Sequence, residues 1–322
     1  MTENQLDETK LGDVSTEALV DMVSDVMDVS NIVVGKDKEL LRVRGKLFVE
    51  SDEAYDRLSV AMDQIGLAPL FRIDKEDDLV IVIRSMPIEK IGNPWLNILL
   101  FVVTLVTVLY AGSMHSSESV EVLRGTEMTD GNISTWLMLR VLWTGWPFAL
   151  SLLGILLAHE MGHYIAARKH GASVTLPYFI PFPSGFLGTM GAVIQMKGAI
   201  RNKRVLLDVA LSGPLAGLAV AIPVVVIGLH LSEVTPLPVS GFQLEGNSIM
   251  YLAAKYLVFG ELLPKPLDYG QVPAVIHWIV FFFTGNPGPG GGTDVFIHPV
   301  ALAGWAGMLV TGLNLIPVGQ LD

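Results

Sequence analysis

The sequence predicts a mainly α-helical membrane protein: a polytopic helix bundle with a re-entrant segment, preceded by a small cytoplasmic α+β domain. Three observations carry this expectation. Hydrophobic residues make up 51% of the 322 and charged residues only 16%, with a mean hydropathy of +0.51, a bilayer protein's composition rather than that of a water-soluble domain. The stretches long and apolar enough to cross a bilayer all follow residue 90. Charge gathers before them: residues 1–90 hold 20 Asp and Glu against 11 Lys and Arg, which is −9 of the chain's −11.

The acidic balance argues against nucleic acid as a partner. Cysteine is absent, so disulfides, thiolate metal sites and cysteine nucleophiles are excluded. A transition metal would have to be held by His and carboxylate, which suits a catalytic zinc site.

The opening MTENQLDETK is neither a secretory signal nor a transit peptide, because it has no positive start and no apolar core. Residues 1–12 are expected to be a disordered tail and 13–90 a cytoplasmic α+β domain. Within that domain, the spacing of Leu19, Val20, Met22, Val23, Val26 and Met27 predicts an amphipathic helix. Leu41–Val49 alternates as a strand. Ser51-Asp52-Glu53 opens a helix with an N-terminal cap and an acidic first turn, and Gly66 ends it. Pro69–Ile73 and Leu79–Ile83 read as strands joined by a turn over Asp74–Asp78.

Residues 91–322 are expected to form the membrane core. Pro94–Ala111 is the first span, with Trp95 and Tyr110 as interfacial anchors. An acidic loop over 113–135 follows. The second span, Val141 to Ala167, contains LLGILLAHEMGH. On a helix, His159 and His163 lie one turn apart on one face, so both imidazoles can converge on one metal ion. Glu160 is then placed to take the proton of an activated water. Gly162 keeps that face slim enough for a substrate backbone to approach. Ionisable side chains inside an apolar helix are costly in lipid, which favours a functional site over a chance HExxH.

Arg168, Lys169 and His170 close this span, and Lys197, Arg201, Lys203 and Arg204 precede the third, Val205–Leu231. With Arg84 and Lys90 before the first span, the positive-inside rule puts the N-terminal domain in the cytoplasm and the 113–135 loop outside. His159 then sits about 13 Å in from the cytoplasmic face, at roughly 1.5 Å per residue. The localisation expected is a multi-pass cell membrane, with the site nearer the cytoplasmic side.

Between these spans, Gly171–Gly198 is apolar yet broken by prolines and glycines, so it cannot be a straight helix. Either it is a re-entrant, strand-like loop against the metal helix, or it is a cytoplasmic surface loop. In the third span, Gly213 and Gly217 (GPLAG) offer a close helix-packing surface. Residues 232–271 read as polar and external. Val272–Phe283 is too short to span and reads as interfacial or re-entrant. A flexible GNPGPGGG leads into a last helix, His298–Leu313, loosened by Asn314–Gly319.

An open zinc site wants a third ligand. Asp322, on a helix running inward like the second span, returns to the depth of His159; it is equally readable as an ordinary Asp at a helix end. Asp208 competes, but it sits in the first turn of its helix, where the dipole and the basic cluster already account for it. Three functions fit the residues: a metal-dependent enzyme, a catalytically inactive metal-binding membrane scaffold of the same fold, and a zinc transporter. His170 and His277 are too isolated to make a transport path, and a binding site alone needs no base beside its first ligand.

HExGH in one span and NxxPxxxLD in another resemble the site-2 protease family of intramembrane zinc metalloproteases. The chain is most similar to the archaeal and plastid branch, through PFPSGFLGTMGAVI, LSGPLAG and HPVALAGWAGMLVTGLNLIPVGQLD. The resemblance covers about residues 40–322. It implies His159, His163 and Asp322 as ligands of one Zn2+ per chain, Glu160 as catalytic acid and base, and Asn314 as a substrate-backbone contact. It further implies an endopeptidase acting in or near transmembrane segments of protein substrates, with the lipid bilayer as surroundings. The family pattern continues past the Asp into further helices, so the chain is expected to be cut short at its C-terminus.

Overall fold

The computed structural model describes residues 15–35, 39–74, 77–84, 94–125, 134–197, 203–237, 245–288 and 290–315. The expected tail 1–12, the basic residues Lys90 and Arg201, the turn of 316–319 and Asp322 lie outside these. The chain divides into two compact units.

The first unit opens with α1 (Thr16–Ser24), whose N-cap Ser15 accepts the Ala18 N–H at 3.2 Å. β1 (Met27–Val34), β2 (Glu39–Leu47), α2 (Ser51–Asp63), β3 (Leu67–Asp74) and β4 (Asp77–Arg84) follow. The strands form one antiparallel sheet in the order β1-β2-β4-β3. Alternation in β2 sends Leu41 and Val43 to one face, where Leu19 and Val23 of α1 and Ala54, Leu58 and Met62 of α2 close over them. Two expectations are corrected here. Val26 and Met27 are buried as their spacing demands, but the helix stops before them and Met27 starts β1, an edge strand. The cap of α2 is Glu50, with no side-chain hydrogen bond, so Ser51 is the first helical residue.

The second unit contains α3 (Pro94–Met114), α4 (Ser117–Arg124), α5 (Thr135–Trp143), α6 (Trp146–Lys169), β5 (Ser173–Val174), β6 (Tyr178–Pro181), β7 (Thr189–Val193), β8 (Met196–Lys197) and α7 (Lys203–His230). It continues with β9 (Glu233–Pro236), α8 (Ile249–Phe259), β10 (Lys265–Pro266), α9 (Ala274–Thr284), β11 (Gly292–Phe296) and α10 (Pro299–Asn314). Among the described residues, three helices are long and apolar enough to cross a membrane: α3, α6 and α7 over Arg204–His230. At 16 residues, α10 is shorter, about 24 Å.

The expected second span, from Val141, is two helices broken at Thr144-Gly145. The break has a packing cause. Gly145 meets the Leu109 carbonyl of α3 and Gly112 meets the Gly145 carbonyl, so the two backbones cross where neither position has room for a Cβ. On its other side α6 receives α10, whose small residues admit close approach: Gly307 lies on Ile155, and Gly304 lies on Val225 of α7.

The described residues 171–197 form no helix. β6 pairs with β7, and β5 with β8, both antiparallel. This hairpin lies along α3. Asn97 donates from Nδ2 to the carbonyls of Leu176 at 2.9 Å and Pro177 at 3.0 Å. Phe179 packs edge-on to Phe101 with ring centroids 5.1 Å apart, and Gly188, with φ +75°, rests on the Thr107 backbone. At the far end His115 Nε2 meets the Phe186 carbonyl at 3.0 Å.

The stretch read as polar and external, 232–271, contains the apolar helix α8. β9, β10 and β11 form a three-stranded sheet in the order β10-β11-β9.

Candidate metal centre

His159 and His163 sit in the middle of α6, one turn apart, and their Nε2 atoms face each other at 3.2 Å. The tautomer of His163 is set from behind: its Nδ1 lies 2.7 Å from the Val209 carbonyl of α7. A carbonyl can only accept, so Nδ1 carries the proton and Nε2 presents a lone pair. His159 is 3% exposed, and its Nδ1 is buried with no hydrogen-bond partner.

The ring positions follow from α7. A Cβ at Gly213 would run into the His163 imidazole, and one at Gly217 would meet His159 and Thr311. The GPLAG pair is therefore more than a packing surface: each glycine seats one of the two rings. Gly162 is likewise explained differently from expectation. Its missing side chain admits α7, not substrate, since a Cβ there would strike the Ser212 carbonyl. Ser212 Oγ in turn donates to the Gly162 carbonyl at 3.0 Å.

In front of the rings lies a cavity of about 390 Å³, lined by His159, Glu160, His163, the β7 end at Ala192 to Ile194, and Asn314 among others. Glu160, 6% exposed, lies near the Ile194 backbone N–H. Asn314, the last residue of α10, brings its Nδ2 to 3.3 Å from His159 Nε2. Pro214 has no N–H for the Ala210 carbonyl one turn back, and both residues line the cavity.

Four of the five residues singled out in the sequence thus meet at one place: His159, Glu160, His163 and Asn314. Asp322 lies outside the described residues, and among these no group of three or more His, Asp or Glu side chains is arranged to hold a metal. Asp208 turns elsewhere, with its carboxylate 3.3 Å from His170 Nε2. The two-nitrogen donor set fits a tetrahedral zinc ion. Two Zn–N bonds of about 2.05 Å at a tetrahedral angle hold their nitrogens about 3.3 Å apart, which is the spacing already present. The contacts missed in the sequence are the backbone groups of Val209 and Ile194, which carry no side-chain signal. The ring-seating role of Gly213 and Gly217 was readable only as small residues four apart.

A membrane-type helix carrying HExxH, with both imidazoles and the glutamate lining one cavity, defines the class: a helical protein with a metallopeptidase-type centre. Comparison with known sequences narrows this. The chain belongs to Peptidase family M50, the site-2 protease family, whose profile matches residues 147–322. It is 33% identical over 176 residues to "Probable zinc metalloprotease EGY1, chloroplastic" of Arabidopsis thaliana, covering 55% of this chain and 28% of that one. The rice protein of the same description (Oryza sativa subsp. japonica) is 30% identical over 232 residues, covering 70% of this chain and 36% of its own. "Probable zinc metalloprotease EGY2, chloroplastic" of Oryza sativa subsp. indica is 32% identical over 204 residues, covering 61% and 31%. The chain spans about a third of the length of these curated relatives. No solved structure matches.

Proposed function

We propose that the protein is a zinc metalloendopeptidase that cleaves membrane proteins in or near their transmembrane segments. The observation that carries the reading is the pair of Nε2 atoms 3.2 Å apart, with Glu160 beside them on one cavity. His159 and His163 hold one zinc ion per chain, with Asp322 as the third ligand. When bound, zinc supplies the Lewis acidity that polarises a peptide carbonyl and lowers the pKa of water towards about 7. Glu160 takes the proton of the attacking water and delivers it to the leaving amine. Its place supports that role, because Glu160 lines the same cavity as the two imidazoles. A pure binding site has no use for such a group, which disfavours an inactive scaffold.

A transmembrane substrate must unwind before its carbonyls can react, since in a helix they are already hydrogen-bonded. Among the described residues β7 pairs on one side only, and its end lines the cavity. An extended substrate strand added to that edge would run past Glu160, with the Asn314 amide donating to its backbone. In this reading α3, α6, α7 and α10 span the bilayer, the hairpin within 171–197 is re-entrant beside α3, and residues 13–90 are a cytoplasmic domain. Water reaches the site from the cytoplasmic side.

The test is Glu160→Gln in the whole protein, with a transmembrane test substrate in vesicles. The variant is expected to keep its zinc and fold while cleavage falls by at least about 10²–10⁴-fold. Wild-type turnover would show that the chemistry lies elsewhere.

A further inference from the structure

The segment between α7 and α10 is built inside out. Lys255 of α8 is 0% exposed, while the outward face of the same helix is Ile249, Met250, Ala253, Tyr256 and Leu257, with Ile249 at 88% and Leu257 at 79%. α9 repeats the pattern. His277, Trp278 and Phe281 turn inward, and Val275, Ile276, Ile279, Val280 and Phe283 turn outward. Neither outward face carries a charge. Polar residues sit instead at the helix ends, at Ser248 and Glu261 for α8 and at Gln271, Thr284 and Asn286 for α9. A water-facing amphipathic helix has the opposite arrangement, and a contiguous apolar face of this kind marks contact with something other than water.

Two contacts fix the depth at which α8 lies. Trp305 Nε1 donates to the Gly246 carbonyl, just before α8, at 2.7 Å. Trp305 is two turns into α10, about 10 Å along the helix from its cap at His298. Tyr251 and Ala254 of α8 also share one buried cluster with Val225 and Leu229 of α7 and Ala301 of α10. So α8 lies beside the end of α7 and the start of α10, not beyond them, and Ile227 of α7 and Leu231 just after it are also exposed, on either side of an exposed His230. The charge that such a position would forbid is enclosed. Lys255 Nζ is 3.0 Å from Asp294 and 3.2 Å from Glu245, as intramembrane ionisable groups require.

We propose that α8 and α9 are half-sunk helices whose outward faces contact the hydrocarbon of the leaflet in which α7 ends and α10 begins. Each has 11 residues, about 16 Å at roughly 1.5 Å per residue. That is too short to span and, with polar groups at both ends, suited to lying along the interface with one face in the acyl chains. The occupant is lipid: the faces are aliphatic and aromatic throughout, and α8 packs against the end of α7, an apolar helix long enough to cross a membrane. The inference rests on reading α7 and α10 as membrane-spanning.

The chain has no cysteine, so single cysteines report without background. Nitroxide labels at Leu257 and Phe283, with Val103 on α3 and Glu261 as references, are read in the whole protein in vesicles of equal parts phosphatidylcholine and phosphatidylglycerol. Leu257 and Phe283 are expected to collide more with oxygen than with a water-soluble nickel chelate, as Val103 does, and Glu261 to show the reverse. Ile249 and Val275 supply a second label pair if either first variant fails to fold. Nickel preference at both outward positions with oxygen preference at Val103 overturns the inference alone. So does shielding from both reagents with spin–spin broadening, which would mean that a second copy covers the faces. Nickel preference at Val103 as well removes the span reading and this inference with it.

Discussion

Lys255, Glu245, Tyr251 and Asp294 answer one another inside the protein; around His159 the groups aim at one another and into a cavity. Lys255 reaches Asp294 and Glu245, and its ammonium lies 4.7 Å above the Tyr251 ring. Tyr251 donates to Glu245 at 2.8 Å, and Asp294 also accepts the Val295 N–H at 2.8 Å. At the metal centre, two ring nitrogens face each other at 3.2 Å and His159 Nδ1 is left without a partner. Both regions bury ionisable side chains at a cost. A saturated cluster recovers that cost as structure. An open one keeps it available for a ligand, so whether the ionisable groups pair off or face a shared cavity separates the two roles better than burial does.

The largest expected effect breaks the comparison at its open end. Whole protein should carry about one zinc per chain, and His159→Ala or His163→Ala should bring it close to none, with cleavage lost. Metal analysis of the purified variants decides it, and near-stoichiometric zinc in the double variant would overturn the ligand assignment. The closed end should respond in stability instead. Lys255→Met leaves two buried carboxylates without their cation and should cost about 3–5 kcal/mol in unfolding free energy, while zinc per chain stays at the wild-type level.

Gly213→Ala sharpens the boundary between the two. The added methyl pushes the His163 ring off its seat, and zinc affinity in a chelator competition should fall about 10–100-fold, the range seen when support behind a ligand is lost. The smallest effect belongs to Asp208→Ala, whose carboxylate pairs with His170 at the surface and should leave zinc content unchanged. Asp322→Ala under the same chelator challenge should release it. The opposite ranking of these two would reassign the third ligand.

Much of the centre was legible because HExxH is a local pattern: helix geometry alone puts His159 and His163 on one face. Asn314 came from the resemblance and does reach His159. The three longest apolar stretches became helical, the second with a break at Thr144-Gly145, and the described part of the proline- and glycine-broken 171–198 carries four short strands and no helix, as chain stiffness requires. What failed depended on long-range partners. β1 is an edge strand exposed along most of its length, so it lacks the alternation that reveals half-buried strands. α8 was hidden in a stretch averaged as polar, because its lysine faces inward. Gly162 was read as room for substrate, since nothing in the sequence says which neighbour approaches a slim face.

Gly213 and Gly217 are four apart, as are the histidines they seat, and this pairing acts as a key in a lock. Sliding α7 by one turn either way would bring Ala221 towards His159 or Val209 towards His163, where there is no room for even a methyl group. The α6–α7 seam therefore has a single allowed setting and cannot serve as a sliding door. Motion that admits a peptide has to come from the other walls, the Asn314 end of α10 and the β7 strand, leaving the ligand-bearing helix and its glycine template as the fixed frame.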